Sequence, residues 1–298
     1  MTEHAYKTPA EFDRALKKAA KAADGDTGER YRQALRDRFL CRVFADPGER
    51  FVLKGGSGML ARVPNARTTR DADFALRKKE APDKIVATLE DLLAADMGDF
   101  CRFELTGREE SMDDNGYSRL LKLRYATYIG DEEKDPVLVD LSLDCELMLP
   151  PDKITPANRL DVPDVIMHDY CVYSVADQLA DKMCAIMERQ RGGWASSRMK
   201  DLTDVVTYAL SQRFALEDLA DAVMGECRRR GMDTPKAFAA PEEWQARYAA
   251  FAQKAGSPAA YQSFDNASFL ASKVFNPALG VRGDCMEWNP ETLEWDKL

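Results

Sequence analysis

The chain has 298 residues, 45% hydrophobic and 31% charged, with a net charge of −9. That size and composition suit a globular protein with a sizeable core, and two unequal lobes are expected. No apolar run reaches the roughly 18–20 residues needed to span a bilayer, and Met1–Lys7 holds no hydrophobic signal core, so a cytoplasmic protein without a membrane partner is expected.

Seven scattered cysteines without a CxxC pair and only two histidines argue against a disulfide framework and against zinc. Any divalent cation must then be held by oxygen, which points to Mg²⁺ or Mn²⁺. The acidic balance weighs against loose binding to nucleic acid, although a local basic strip can coexist with it.

In chain order, Thr8-Pro9-Ala10-Glu11 reads as a helix start, and that helix runs to the turn at Asp24-Gly25-Asp26. A second helix covers about 29–45, with Tyr31, Leu35, Phe39 and Val43 in register. Phe51-Val52-Leu53 is a short buried strand leading into the turn Lys54-Gly55-Gly56-Ser57-Gly58, with a helical turn expected over 59–63. Asp71 to Leu76 reads as a strand and Pro82 to about Ala95 as an amphipathic helix. Segments 119–128 and 137–144 alternate as strands, joined by a hairpin over Gly130 to Pro136. Beyond Pro150-Pro151 the signal is helical almost to the end. The expected fold is α+β: a mixed sheet with flanking helices over residues 1–165, then a helical C-terminal lobe over 166–298 that completes the active site.

Asp71 and Asp73 stand two apart on a strand, so both carboxylates leave the same face. Such a pair repels itself unless a cation sits between, and Mg²⁺ favours one or two carboxylates plus phosphate oxygens. A lone DxD is common at strand ends, and a lone glycine cluster is usually a tight structural turn. Here, however, the glycine turn follows an apolar strand, where its N–H groups suit phosphate binding. Gly56-Ser57 is followed by 13 residues and then Asp71-Ala72-Asp73-Phe74. This resembles the signature of polymerase-beta-like nucleotidyltransferases, which implies a metal-binding acid pair and a turn that holds the triphosphate. That superfamily adds a third carboxylate on a neighbouring strand. Asp140, on the polar face of segment 137–144, is the candidate, as metal ligand or general base; otherwise it is a solvent-facing residue.

In the helical half, Lys182 lies at the edge of the apolar stripe 175, 179, 183 and 186, where a snorkelling lysine is the simplest account. On the helix beginning near Ser196 or Ser197, Arg198 and Asp201 are three apart with Asp204 beyond, and geometry alone allows a salt-bridged surface. Four ordered segments now stand together: Leu53-Lys54-Gly55-Gly56, Thr69-Arg70-Asp71-Ala72-Asp73-Phe74, Asp177-Gln178-Leu179-Ala180-Asp181-Lys182, and Arg198-Met199-Lys200-Asp201-Leu202-Thr203-Asp204. Together they resemble the AbiEii/AbiGii toxin family, nucleotidyltransferase toxins related to the MenT toxins.

The resemblance implies that Asp71 and Asp73 bind Mg²⁺ and the nucleoside triphosphate. Lys182 would neutralise phosphate charge, and Asp201 matches a further essential acid with Arg198 and Asp204 supporting it. Thr69 matches a hydroxyl that can be modified in some relatives. It also implies an antitoxin partner or a phage-defence setting, and the 3′ end of a tRNA as acceptor. Lys200 stands where arginine is more usual, which weakens any argument from bidentate phosphate contacts.

Five basic residues between 182 and 200 (Lys182, Arg189, Arg191, Arg198 and Lys200) against Glu188 lend modest support to an RNA-facing role. Arg228-Arg229-Arg230 reads more simply as a solvated helix face. The competing readings are a small-molecule nucleotidyltransferase of the aminoglycoside type, which suits the negative charge, and a non-catalytic nucleotide-binding protein.

Overall fold

The computed structural model describes residues 5–64, 66–112, 116, 118–189, 193–280 and 285–298. Arg191, one of the five basic residues above, lies outside them. The chain divides into two compact units, 1–146 with 151–172, and 147–150 with 173–298. The first therefore extends past the sequence boundary at 165/166, because the strand Tyr170–Val172 belongs to its sheet.

The first unit contains α1 (Pro9–Ala22), α2 (Thr27–Val43), β1 (Phe51–Leu53), α3 (Gly55–Arg62), β2 (Asp71–Leu76) and α4 (Pro82–Leu93). After these come β3 (Cys101–Met112), β4 (Arg119–Ile129), β5 (Glu132–Ser142), β6 (Asp152–Ile154) and β7 (Tyr170–Val172). The fold is α+β, with a seven-stranded mixed sheet in the order β3-β4-β5-β2-β1-β7-β6. At its centre β2 runs antiparallel to β1 and parallel to β5.

One face of the sheet is dry. Phe74, Leu123, Tyr125, Val139 and Leu141 pack there with Phe39 and Val43 of α2 and Leu89 and Leu93 of α4. Alternation then forces Asp71, Asp73 and Asp140 to the opposite face. The first helix starts as its sequence dictates, the Thr8 hydroxyl accepting from the Glu11 N–H and Pro9 filling the first turn.

Four elements depart from the sequence reading. The glycine segment is itself the first turn of α3 rather than a loop before a helix at 59–63. The β4–β5 connection is the tight turn at Gly130-Asp131, so β5 begins at Glu132 and Pro136 lies within it. The edge strand β3 had no sequence counterpart, since Arg102, Glu104, Arg108, Glu109 and Glu110 give it little apolar alternation. The region beyond residue 150 is not purely helical: β6 and β7 extend the sheet, and a terminal hairpin closes the second unit.

That unit holds α5 (Val175–Met187), α6 (Met199–Ala209), α7 (Leu216–Arg229), α8 (Gln245–Lys254) and α9 (Phe264–Leu279), then β8 (Met286–Asn289) and β9 (Glu294–Lys297). Helix α5 packs on α6 and α7. The hairpin is fixed by Trp288, fully buried, whose indole N–H donates to the Ala209 carbonyl at 2.8 Å. Among the described residues no helix is long and apolar enough to cross a membrane.

Helix α2 is locked to the sheet by charge as well as by packing. Asp99, with no exposed surface, accepts from Arg38 Nε at 2.7 Å and from both terminal nitrogens of Arg42, at 3.0 and 2.7 Å. Burial pushes its carboxyl up, but the two guanidinium groups outweigh that and hold it below the ordinary carboxylate value. Replacing Asp99 by Ala strands two buried cations and is expected to cost about 3–5 kcal/mol. Urea unfolding checks this, with a lower midpoint and an unchanged slope as the expected result.

Candidate active site

The first cluster is built by sheet register. Parallel pairing sets Asp73 beside Asp140, and Asp71 beside Leu138 one pleat away. Neighbouring strands lie roughly 4.8 Å apart, so three half-buried carboxylates share one patch of the open face. The strain is visible at Asp140, whose carboxyl is raised by burial and then by the negative charge of Asp71, with Lys122 acting weakly the other way.

The glycine turn meets these acids directly. Gly55 has φ +58°, in the left-handed region, and a Cβ built on it would lie 2.5 Å from Asp73 Oδ2. The Asp73 carboxylate thus fills the space a side chain would take, at the N-terminus of α3. Lys54 is the N-cap and makes no capping side-chain hydrogen bond, while its backbone N–H donates to the Asp73 carbonyl at 2.8 Å. The first helical bond of α3 runs from the Gly58 N–H to the Lys54 carbonyl, leaving the N–H groups of Gly55, Gly56 and Ser57 at the open end. Ser57 spends its proton on the Asp71 carbonyl and so ties α3 to β2.

Thr69 reaches the same place. A Cβ on Gly56 would meet Thr69 Oγ1 at 3.1 Å and a terminal nitrogen of Arg67 at 3.6 Å. Beneath lies a residue that the sequence did not single out: Arg36 of α2, buried, donating to the carbonyls of Thr69 at 2.6 Å and Arg70 at 3.2 Å. Burial lowers its pKa, with Tyr170, Asp71 and Asp73 acting the other way, which places its positive charge close to the acid pair. Arg36 is one of three buried arginines on α2, with Arg38 and Arg42, and its backbone-carbonyl partners lie 33 and 34 residues away, so no local signal revealed it.

The donor set suits a hard divalent cation. Among the described residues no group of three or more His, Cys, Asp or Glu side chains is arranged as a ready-made metal cage. Mg²⁺ does not ask for one, since it takes one or two carboxylates and completes its shell with phosphate oxygens and water. Asp71 and Asp73 supply the carboxylates, and Asp140 beside them is raised by burial and by the charge of Asp71.

The second cluster lies wholly within the second unit. Lys182 is only 3% exposed, and its ammonium donates to Asp204 at 2.6 Å and to Asp201 at 3.3 Å. It is therefore no snorkelling lysine. Two carboxylates from α6 hold it in the core and outweigh the cost of its burial, raising its pKa. Arg198 completes the group, its Nε donating to Asp201 at 2.7 Å. Asp177 also turns inward, accepting from the Leu149 N–H at 3.3 Å, and burial pushes its carboxyl up to about 6. Of the triple arginine, Arg228 is solvated as expected, but Arg230 pairs with Asp181, Glu188 and Glu226, and Arg229 with Glu226.

A profile described as nucleotidyl transferase AbiEii toxin, type IV toxin–antitoxin system, matches residues 38–268. The chain belongs to the AbiEii nucleotidyltransferase toxin family. Among solved structures, MenT4, a nucleotidyltransferase toxin from Mycobacterium tuberculosis H37Rv, is similar with a TM-score of 0.50 and 17% identity, over 75% of this chain and 74% of that one. Two Helicobacter pylori structures, a putative nucleotidyltransferase and JHP933, match with TM-scores of 0.38. They are 16% and 18% identical over 66% and 67% of this chain, and 75% and 74% of theirs. No curated protein matches in sequence. The family span includes both clusters and stops before the terminal hairpin.

Gly55→Ala tests the packing of the turn on the acids. The left-handed φ costs an L-residue roughly 1–2 kcal/mol, and moving Asp73 by even 1 Å is expected to slow nucleotidyl transfer on the order of 100-fold. Thermal unfolding and single-turnover kinetics read the two effects separately.

Proposed function

We propose that this AbiEii-family protein is a divalent-cation-dependent enzyme that transfers a nucleoside monophosphate from an NTP to an RNA acceptor, the 3′ end of a tRNA. The observation that carries this reading is the stacking of the Asp73 carboxylate on Gly55 at the N-terminus of α3, beside Asp71 and Asp140. It places an acid pair and an array of backbone N–H donors within one short stretch of surface, which suits a triphosphate.

Asp71 and Asp73 hold Mg²⁺ or Mn²⁺, which when bound supplies neutralisation of the triphosphate charge. The N–H groups of Gly55, Gly56 and Ser57 cradle phosphate oxygens, and Lys54 adds positive charge at the helix entrance. Asp140, its carboxyl raised, takes the proton of the acceptor hydroxyl. The acceptor oxygen bonds to the α-phosphorus, the bond from that phosphorus to the bridging oxygen breaks, and pyrophosphate leaves with the electron pair. In the second unit, the family resemblance implies a phosphate-neutralising role for Lys182, whose ammonium is held in place by Asp201 and Asp204. Thr69, with its hydroxyl at the same helix end, is the position where self-modification would register. The setting is the cytoplasm, with an antitoxin as partner.

Purified protein incubated with Mg²⁺, each α-labelled NTP in turn and total tRNA tests the reading. Label on tRNA 3′ ends that disappears with EDTA and with Asp71→Ala is expected. Label that persists in the Asp71 variant, or that reaches no tRNA with any nucleotide, contradicts it.

A further inference from the structure

The open face of the sheet does not end at the acids. Register carries the row from Asp73 to Asp140 on to Lys122 of β4 and then to Glu109 of β3. One pleat along, Arg124 stands opposite Leu138, and its stem lies over Gly107, whose missing side chain leaves room for it at 3.3 Å. Lys122 and Arg124 point the same way, roughly 6.8 Å apart along the strand, and both are exposed. Among the described residues neither makes an ion pair, whereas Arg62, Arg77, Arg108, Arg119, Lys134 and Arg159 all do. Glu109 faces Lys122 across the strand pair without closing a salt bridge onto it. Further along β4, the Tyr128 ring carries Arg102 of β3, whose guanidinium carbon lies 4.1 Å from the ring centroid and which also pairs with Glu104.

The order across the sheet is directional. On one side of the acid pair lies the N-terminus of α3, and on the other lie Asp140 and then the two cations. If the triphosphate occupies the α3 end, the side beyond the proton-accepting carboxylate is left for the acceptor. Two unpaired cations there attract a polyanion and repel a cationic small molecule. They also answer the objection raised by the overall charge of −9, because the basic strip need only be local.

We infer that Lys122 and Arg124 on β4 form the docking strip for the phosphodiester backbone of the acceptor RNA, and so select a polynucleotide over a cationic small-molecule acceptor. This rests on the transfer reaction proposed above. The strip positions the acceptor end beside Asp140 through contacts with phosphates one or more nucleotides behind the reacting hydroxyl. Such contacts set affinity and register without reading sequence.

The test is the double variant K122Q/R124Q in the full chain, which changes only exposed side chains on one strand. Two measurements are made: the KM for tRNA and for NTP in the transfer assay, and the salt dependence of binding of a labelled tRNA without nucleotide. Two lost phosphate contacts are expected to make the slope of log K against log[salt] shallower by about 1.4–1.8. The tRNA KM is expected to rise about tenfold while the NTP KM stays within about twofold. An unchanged slope with tRNA labelling intact overturns the strip and leaves the transfer reaction standing, and so does a variant that raises only the NTP KM. A shallower slope in a protein that labels no tRNA upholds the strip as an RNA-binding surface and removes the transfer reading. A wild-type chain that neither binds nor labels tRNA overturns both.

Discussion

Repulsion among Asp71, Asp73 and Asp140 is the constraint on which the first unit is organised. Three carboxylates on two adjacent strands are held together only because the other face of those strands is locked into the core. Ala72, Phe74, Val139 and Leu141, all fully buried, fix the pleat, and the pleat fixes the acids. A one-residue slip of β5 against β2 would turn Asp140 into the core and Leu141 out, so hydrophobic burial sets the registry of the charged site. What remains uncompensated is the charge itself. Arg36 beneath the loop and the open end of α3 offset part of it, and a divalent cation with a triphosphate offsets the rest in the proposed reaction.

The features legible in the sequence were those with a local cause. Strands β2 and β5 announced themselves by alternation, α1 by its Thr8-Pro9 start, and the DxD pair by its spacing from the glycines. Glycine is a poor helix former, so a Gly-Gly-Ser-Gly run reads as a turn. It is helical here because the first turn of a helix needs N–H groups and close approach rather than side chains, and Asp73 occupies the space a side chain would have taken. The hidden features were those with a distant cause. Lys182 at the edge of an apolar stripe looked like a surface lysine, and only partners 19 and 22 residues later make it a core cation. Arg230 looked solvated for the same reason, its carboxylates lying on α7 itself and, 42 and 49 residues back, on and just beyond α5. Strand β3 was missed because an edge strand faces solvent and carries charge on residues that a central strand would make apolar.

The two units use charge in opposite ways. In the second, Lys182, Arg198, Asp201 and Asp204 form a balanced group, each cation with a carboxylate partner. Breaking one member leaves a buried charge without its partner, which is the expensive case. In the first, the acids are in excess, and the nearby cations Lys122 and Arg124 are exposed and unpaired among the described residues. An excess of one sign next to unpaired charge of the other is an arrangement that a folded protein keeps at a cost to stability, and it is expected where phosphates and their counter-ion are to be received.

The most direct measurement is a Mn²⁺ titration followed by electron paramagnetic resonance, with and without an NTP whose α–β bridge cannot be cleaved. The account predicts weak binding to the protein alone and tight binding when the triphosphate is present. In Asp71→Asn and Asp73→Asn the ternary affinity is predicted to fall by more than the roughly 10–100-fold that a merely supporting residue costs. Mn²⁺ binding that is unchanged in both variants, or that does not respond to the triphosphate, would contradict the claim that this acid pair is the metal and nucleotide site.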